Sequence, residues 1–406
     1  SWKVEIADTT GWLSVADTMG TGDSELVFMA SDNSLKKERT TTVRLTYGVR
    51  TLKLTATQNG GIRVDGHILK HYGEREVDKG YNLIFLGDGF TDEDLISETG
   101  SFDKAVEEAC QALFAIEPYR TYKEYFNVYS IACESKERGA STWDGEIKNT
   151  VFGAEYEPER AFYSVNEYLA WSYAQQILGM TDDILKNNTC VVVLVNDERY
   201  GGNTLWFSDG RTLSVVPLNR DTQLPGGFAN IFLHEVGGHG IGKLADEWSE
   251  EGVLLTAEDK RNLTEWRKSY YCYNLALPSS ATLGSYVAYA WGTYNRVEYQ
   301  DVLTTLLNGG DGGCGLVSDR DNGCIVLHSE SHCCMLNHLP YFSVACRYSI
   351  VANVLVKLGE FSFATPQEKQ TFNNHFFEHD TFEVPEEQPV SERPHLVKPI
   401  WVGVTK

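Results

Sequence analysis

Hydrophobic and polar positions alternate in the first sixty residues, and turn-forming residues separate the short segments in which they do so. These segments are residues 2–6, 26–30, 41–46 and 51–57. A period of two broken by Gly, Asp and Asn predicts antiparallel strands. Residues 1–60 are therefore expected to form a small all-β sandwich.

A different pattern begins at Tyr81, after a polar segment at 61–80 that is expected to connect the two regions. Continuous apolar runs predict buried strands, and a helical period predicts helices between them. The strands are expected at 81–86, 127–133, 189–195 and 213–218, and the helices at 102–115 and 166–178. A further helix is predicted to begin at Thr91, because three acidic residues would fill its first turn. This alternation indicates an α/β (α+β) domain.

The sequence after residue 249 is less regular. Helices are predicted at 257–268, 299–307 and 341–358, and the acidic, proline-containing segment 383–389 is expected to lead to a short terminal strand. The expected domains are a sandwich at 1–60, a connector at 61–80, the main domain at 81–381 and a tail at 382–406.

Composition narrows the classes of partner. The formal net charge of −22 would repel nucleic acid, and the 42% hydrophobic content is typical of a globular protein. No apolar run approaches the roughly 18 residues of a membrane span, and no signal segment precedes Ser1. We therefore expect neither a nucleic-acid partner nor a membrane span.

The nine cysteines are an odd number and include no C-x-x-C pair. Cys314 and Cys324 flank a Gly/Asp-rich loop and could form a disulfide in an oxidising compartment. A second metal site is the less favoured alternative, because its spacing matches no common zinc module. Its ligands would come from Cys314, Cys324, His328, His332 and Cys333.

The segment 234–248 reads HEVGGHGIGKLADEW and carries the main chemical signal. In the pattern H-E-x-x-H, two histidines four residues apart share one helical face and bind zinc, and the glutamate activates water. Here His234 and His239 are five residues apart. At about 100° per residue, a five-residue step leaves two side chains about 140° apart on an α-helix. A regular helix would not let both histidines bind one ion.

Two local structures would solve this problem. A π-type turn absorbs one extra residue and returns both histidines to one face. Alternatively, the helix ends at Gly237-Gly238 and the chain turns back to bring His239 to the ion. The sequence leaves both open.

The segment resembles the active-site helix of the IgA-peptidase type of zinc metallopeptidase, through Gly238-His239 and the sequence LADEW at 244–248. Other matching segments follow in order, over about residues 75–365. They are LGDGF at 86–90, FNVY at 126–129, VLVN at 193–196, YGG at 200–202 and CMLN at 334–337. The resemblance implies a zincin-like metallopeptidase domain.

The resemblance also implies one catalytic Zn²⁺, with His234, His239 and a carboxylate as ligands. Asp246 is the expected third ligand, because it lies seven residues after His239, close to the six-residue step of related zincins. Glu247 is the alternative, and whichever carboxylate does not bind is expected to orient a histidine.

Glu235 is expected to act as the general base toward water and to pass the proton to the leaving amine. Met335 is expected to form a hydrophobic floor beneath the metal. Gly240 and Gly242 are expected to let the chain turn so that the acidic pair reaches the ion.

Substrate contacts are expected from the segment Tyr200, Gly201 and Gly202, where glycines would let an extended peptide approach the backbone. Tyr200, Tyr341 and His338 are candidates, left unranked, for stabilising the developing oxyanion.

The N-terminal unit resembles a BACON domain through WLSV at 12–15, a strand led by Arg39 and TATQ at 55–58. The resemblance implies carbohydrate or mucin binding. A simple spacer role is equally compatible with these residues.

The expected function is a zinc-dependent endopeptidase acting on extracellular proteins or glycoproteins, either secreted, periplasmic or on a bacterial cell surface. One alternative is a catalytically inactive surface protein that binds carbohydrate or mucin. Another is a zinc hydrolase with a substrate other than peptides.

Overall fold

The computed structural model of the chain describes residues 1–7, 11–31, 33, 37–220, 227–247, 261, 265, 271–275, 333–381 and 400–402. The helices predicted at 257–268 and 299–307 lie outside these residues, apart from Arg261 and Glu265. The predicted Cys314–Cys324 disulfide lies outside them as well, as does the predicted second metal site apart from Cys333.

The N-terminal region is all β, as its alternating pattern predicts. Its strands are β1 Trp2–Ile6, β2 Leu13–Val15, β3 Met19–Gly20, β4 Phe28–Ala30, β5 Arg39–Tyr47 and β6 Arg50–Gln58. Four of them form an antiparallel sheet in the order β3-β1-β5-β6, and β2 pairs with β4. Val4, Trp12 and Val43 are its buried apolar residues.

A seven-stranded sheet organises the rest of the described chain. Its strands are β7 Ile68–Tyr72, β8 Tyr81–Asp88, β9 Phe126–Ile131, β13 Thr189–Val195, β14 Asn203–Phe207, β15 Thr212–Pro217 and β16 Ile400–Val402, in the order β16-β14-β15-β13-β8-β9-β7. The four central strands β15, β13, β8 and β9 are parallel. A separate small sheet contains β10 Ser141–Thr142, β11 Glu155–Glu157 and β12 Phe162–Ser164.

Helices cover the large sheet, and the bounds are α1 Ser101–Ala115, α2 Glu167–Ala174, α3 Asp182–Asn187, α4 Phe228–Phe232, α5 Cys334–Asn337, α6 Val344–Lys357 and α7 Pro366–His379, with a 3-10 turn at Lys123–Tyr125. Alternate residues of β8 enter two apolar cores: Phe85 packs in the core that contains α4, and Ile84 in the core that contains Trp171 of α2. Burial on both faces explains why these strands are continuous apolar runs. Among the described residues, no helix has the length and apolar character that crossing a bilayer requires.

Two local predictions were wrong. Residues 61–80 are not only a connector, because they contain β7, which pairs antiparallel with β9 at one edge of the large sheet. The helix predicted from Thr91 is a series of turns. The amide and the hydroxyl of Thr91 both donate to Asp94 Oδ2 at 3.0 Å, so the aspartate side chain closes a turn there.

Candidate metal centre

The helix that carries the two histidines changes its winding where they lie. α4 ends at Phe232, and Leu233–Ile241 continues it as a π-helix. The amide of Gly242 donates to the carbonyl of Gly237 at 3.1 Å, which is the five-residue hydrogen bond of this winding. Of the two structures that the sequence left open, the chain adopts the π-type turn.

The glycines of this segment provide close packing rather than a turn. A Cβ at Gly238 would overlap the Met335 sulfur, and one at Gly242 would lie 2.7 Å from Ile350 Cγ1. Gly242 has an ordinary helical φ of −73°. The left-handed residue is Lys243, with φ of 54°. The predicted turning role of Gly240 and Gly242 was therefore wrong, and the chain turns at Lys243.

The π-type turn places the two histidines against each other and against Asp246. The Nε2 atoms of His234 and His239 are 3.1 Å apart. Asp246 Oδ1 lies 3.1 Å from the first and 3.4 Å from the second. Both histidines are fully buried and Asp246 is 8% exposed. Three potential ligand atoms thus converge on one point in the interior.

Hydrogen bonds on the far side of each ring fix which nitrogen faces this point. His234 Nδ1 lies 3.0 Å from the carbonyl oxygen of Cys334, and His239 Nδ1 lies 2.7 Å from that of Leu244. A carbonyl only accepts, so each Nδ1 carries the proton and each Nε2 presents a lone pair. The two oxygens of Asp246 find no hydrogen-bond donor in the described part of the chain.

Two imidazole nitrogens and a carboxylate that face one another in the interior need a positive charge between them, either a proton or a cation. Although burial disfavours the charged ring, the nearby Asp246 carboxylate raises the pKa of His234 well above its ordinary value, so this point attracts positive charge. Burial alone would raise the pKa of Asp246, yet the two rings hold it below its usual range. Two imidazoles and a carboxylate fit a catalytic zinc site with an open position.

Glu235 lies beside this point and is itself fully buried. Its Oε2 accepts a hydrogen bond from Thr204 Oγ1 at 2.8 Å. Its Oε1 has no partner among the described residues. Burial raises the pKa of Glu235. One carboxylate oxygen is thus held in place by a hydrogen bond, and the other has none within the described part of the chain.

Glu247 lies in a neighbouring cluster. Its Oε1 accepts from Asn274 Nδ2 at 2.9 Å and from the Cys346 thiol at 3.2 Å, and its Oε2 accepts from the Cys333 thiol at 2.9 Å. Asp246, and not Glu247, lies against the two histidines.

The other predicted residues occupy different positions around the centre. Met335 is fully buried. The His338 ring centroid lies 4.5 Å from that of His234. The Tyr341 hydroxyl accepts from Arg347 at 3.2 Å. His338 thus lies next to His234, and the Met335 sulfur lies against Gly238. The Tyr341 hydroxyl is bonded to Arg347 instead.

The segment predicted to contact substrate packs against Glu235 through Gly202. A Cβ at Gly202 would lie 3.2 Å from Glu235 Cγ. The Gly202 amide donates to Ala161 at 3.1 Å, and the Tyr200 carbonyl accepts from the Tyr156 hydroxyl at 3.0 Å. Gly201 lies between them and packs equally closely, since a Cβ there would overlap the Ala161 carbonyl.

Comparison with known families gives two matches. Residues 75–268 match the model of the family described as IgA Peptidase M64. This match contains His234, Glu235, His239 and Asp246, and it identifies a peptidase domain. Residues 2–59 match the BACON family, described as a putative N-terminal binding domain. Both resemblances stated from the sequence are confirmed. No curated protein matches the chain.

Sequence reasoning missed the residues that hold the centre in place. Thr204 fixes Glu235, and Trp206 Nε1 donates to the carbonyl oxygen of His239 at 2.9 Å. Both lie on β14, about thirty residues before the histidines, in an ordinary strand sequence. Their alternate positions place both on one face of β14, but only the pairing of β14 with β15 brings that face to the π-helix.

Proposed function

We propose that the chain is a zinc-dependent endopeptidase with a zincin-like catalytic domain, and that His234, His239 and Asp246 bind one catalytic Zn²⁺. The observation that carries this proposal is the buried carboxylate of Asp246, which faces two imidazole lone pairs and has no hydrogen-bond donor among the described residues. The match of residues 75–268 to a peptidase family supports it.

A bound zinc ion supplies Lewis acidity and lowers the pKa of water toward neutrality. Glu235 then acts as the general base. Its Oε1 takes a proton from the attacking water while the water oxygen bonds to the scissile carbonyl carbon, and Glu235 later gives this proton to the leaving amine as the C–N bond breaks. A carboxyl with a raised pKa suits the second step, because it holds the proton until the amine accepts it.

Extended peptides are the proposed substrates, and Gly201 and Gly202 are the proposed contact segment. Gly202 lies beside Glu235, and because its amide already donates to Ala161, a substrate backbone would have to replace that bond to pair with it. Tyr200 and Tyr341 remain proposals for substrate binding.

We further propose that the N-terminal unit, residues 1–60, binds glycans of glycoprotein substrates and that the protein works outside the cytoplasm, either secreted, periplasmic or on a bacterial surface. The BACON match to residues 2–59 supports a binding role. The proposed peptidase unit extends beyond residues 81–381, because β7 of the connector and β16 of the tail both pair with the large sheet.

The alternative of an inactive binding protein predicts histidines that point apart. The 3.1 Å separation of their Nε2 atoms favours the enzyme instead.

The deciding experiment combines metal content with turnover. Purified protein should contain one zinc per chain, and a chelator should abolish hydrolysis of a peptide library. Glu235→Ala and Glu235→Gln should keep the zinc but lose about 10²–10⁴-fold in turnover, the usual contribution of a general base.

His234→Ala and His239→Ala are the comparison variants. They should lose the zinc and unfold at a lower temperature, because an ion bound only to the folded state stabilises it by about 2.7 kcal/mol at a hundred times its dissociation constant. Zinc loss from Glu235→Gln, or undiminished turnover by it, would refute the assignment of Glu235 as base.

A further inference from the structure

A second group of buried ionisable side chains lies next to the metal centre. Glu247 is 3% exposed, and Cys333 and Cys346 are fully buried. Their ligand atoms lie within 4.8 Å of one another. Two thiols and a carboxylate at this separation could bind a soft metal ion or could form a hydrogen-bonded cluster.

The contacts favour the hydrogen-bonded cluster. The thiol sulfurs of Cys333 and Cys346 lie 2.9 and 3.2 Å from the two oxygens of Glu247, at hydrogen-bonding distance. Burial raises the pKa of the Cys346 thiol to about 12 and that of Cys333 well above its ordinary value, so both retain their protons. The Glu247 carboxylate therefore accepts hydrogen bonds from two thiols, whereas the Asp246 carboxylate accepts none from the described residues.

Hydrogen bonds of Asn274 and of Glu247 itself connect this cluster to the backbone on both sides of Asp246. Asn274 bonds both backbone groups of Ala245 at 2.9 Å, and its Nδ2 also donates to Glu247 Oε1 at 2.9 Å. The Glu247 amide donates to the carbonyl oxygen of Met335 at 3.0 Å. Residues 243–247 have no regular secondary structure to hold them.

We propose that Cys333 and Cys346 are positioning residues whose thiols, together with Asn274, clamp Glu247 so that the adjacent Asp246 faces His234 and His239 before metal binds. The inference rests on the proposed zinc site and adds two residues that do not touch the ion. Cys333 precedes α5 and Cys346 lies in α6, so the clamp joins the segment of Asp246 to two elements distant in sequence.

A ligand that is already in its binding position loses little conformational entropy when the metal binds. Loss of a residue that supports a ligand in this way typically weakens metal binding by about 10–100-fold. In the full-length chain, Cys333→Ala and Cys346→Ala should therefore weaken zinc binding by about 10–100-fold, as measured by competition with a chromophoric chelator. Cys333→Ser and Cys346→Ser keep a donor to Glu247 and should recover most of this affinity. Recovered zinc affinity in the serine variants would show that the hydrogen bonds to Glu247, and not the volume of the buried thiols, maintain the affinity.

Cys133→Ala is the matched control. Cys133 is equally buried, but it lies in the other apolar core, and its thiol contacts the carbonyl of Ile131 at 3.3 Å. Its loss should lower the unfolding temperature and leave zinc affinity unchanged. If an alanine variant fails to fold, Glu247→Gln provides the same test, because its amide nitrogen cannot accept from the thiols.

Wild-type zinc affinity in the alanine variants and in Glu247→Gln would overturn the clamp and leave the zinc site standing. Two zinc ions per wild-type chain, falling to one in Cys346→Ala, would show that the cluster is itself a metal site and would also overturn it. Absence of zinc from the wild type and from His239→Ala alike would overturn both the clamp and the proposed function.

Discussion

At the scale of single residues, Thr204 is the hydrogen-bond donor to the side chain of Glu235. Its hydroxyl donates to Oε2 at 2.8 Å and is also 2.9 Å from the backbone carbonyl oxygen of the same residue. A donor to a carboxylate stabilises the charged form and lowers its pKa, against the burial that raises it. Thr204 therefore adjusts the pH at which the proposed base becomes available.

Thr204→Val keeps the shape of the side chain and removes the donor, so the pKa of Glu235 should rise. A base must be deprotonated to act, and the ascending acid limb of kcat/KM against pH should therefore move to higher pH. A hydrogen bond to a charged group contributes about 1.5–3 kcal/mol, and one pKa unit corresponds to about 1.4 kcal/mol, so the limb should move by about one to two units.

Thr189→Val is the matched control for this pH profile. Thr189 is a buried threonine on β13 whose hydroxyl donates to the carbonyl of Ile184 at 2.9 Å. It should leave the acid limb where it is. An unmoved limb in Thr204→Val would show that Thr204 does not act on the base.

The sequence identified the histidines and Glu235 because their residue types and local spacing carry the signal. It favoured Asp246 over Glu247 from spacing alone and kept Glu247 as the alternative, since adjacent carboxylates differ only in direction, and the turn at Lys243 sets that direction. Nothing in the local sequence linked Cys333 or Cys346 to Glu247, because they meet it from 86 and 99 residues away.

At the scale of elements, the π-helix is stabilised by side chains that bind its carbonyl groups. The carbonyl oxygen of Gly237 accepts from the Tyr119 hydroxyl at 2.6 Å, and that of Gly240 accepts from the Lys243 amine at 2.7 Å. That of Glu235 accepts from the Ser214 hydroxyl at 3.3 Å, and that of His239 accepts from Trp206. All of these donors except Lys243 come from other parts of the chain, which is why the motif alone left the choice of local structure open.

Deletion of Gly238 tests this element. The deletion restores the four-residue step of a regular α-helix but rotates every later residue by about 100° relative to α4. Asp246 and the carbonyl of Leu244 would then lose their places, and stoichiometric zinc binding should be lost while the helical circular dichroism signal remains.

Deletion of Gly22 is the control for removing one residue, because Gly22 lies in an exposed loop of the N-terminal unit and a Cβ there would meet open space. It should keep the zinc. Retention of full zinc affinity after deletion of Gly238 would show that the extra residue is not needed for the geometry.

At the scale of the whole molecule, the large sheet was predicted in its centre and missed at its edges. β8, β9, β13 and β15 are continuous apolar runs because helices cover both of their faces. β7 lies at one edge in a polar segment. A terminal strand was expected, and β16 confirms it, but its pairing with β14 could not be read from sequence because no local pattern specifies a partner almost two hundred residues away.

Deletion of residues 1–60 tests the proposed division of the molecule. If these residues are a separate binding unit, the remaining chain should stay folded and should cleave small peptides at the wild-type rate. Cleavage of intact glycoproteins should decrease if the unit binds glycans. Lost turnover of small peptides would instead place the unit within the catalytic domain.

The position of Trp206 has a consequence for spectroscopy. Its indole nitrogen is bonded to the backbone of His239, and its ring meets the His239 ring at 77° with centroids 6.2 Å apart. Indole emission is sensitive to the charge of a neighbouring imidazole, so occupation of the centre will alter the fluorescence of this one tryptophan among nine. The difference in emission between the wild type and Trp206→Phe therefore isolates an intrinsic optical signal that follows metal loading without any added dye.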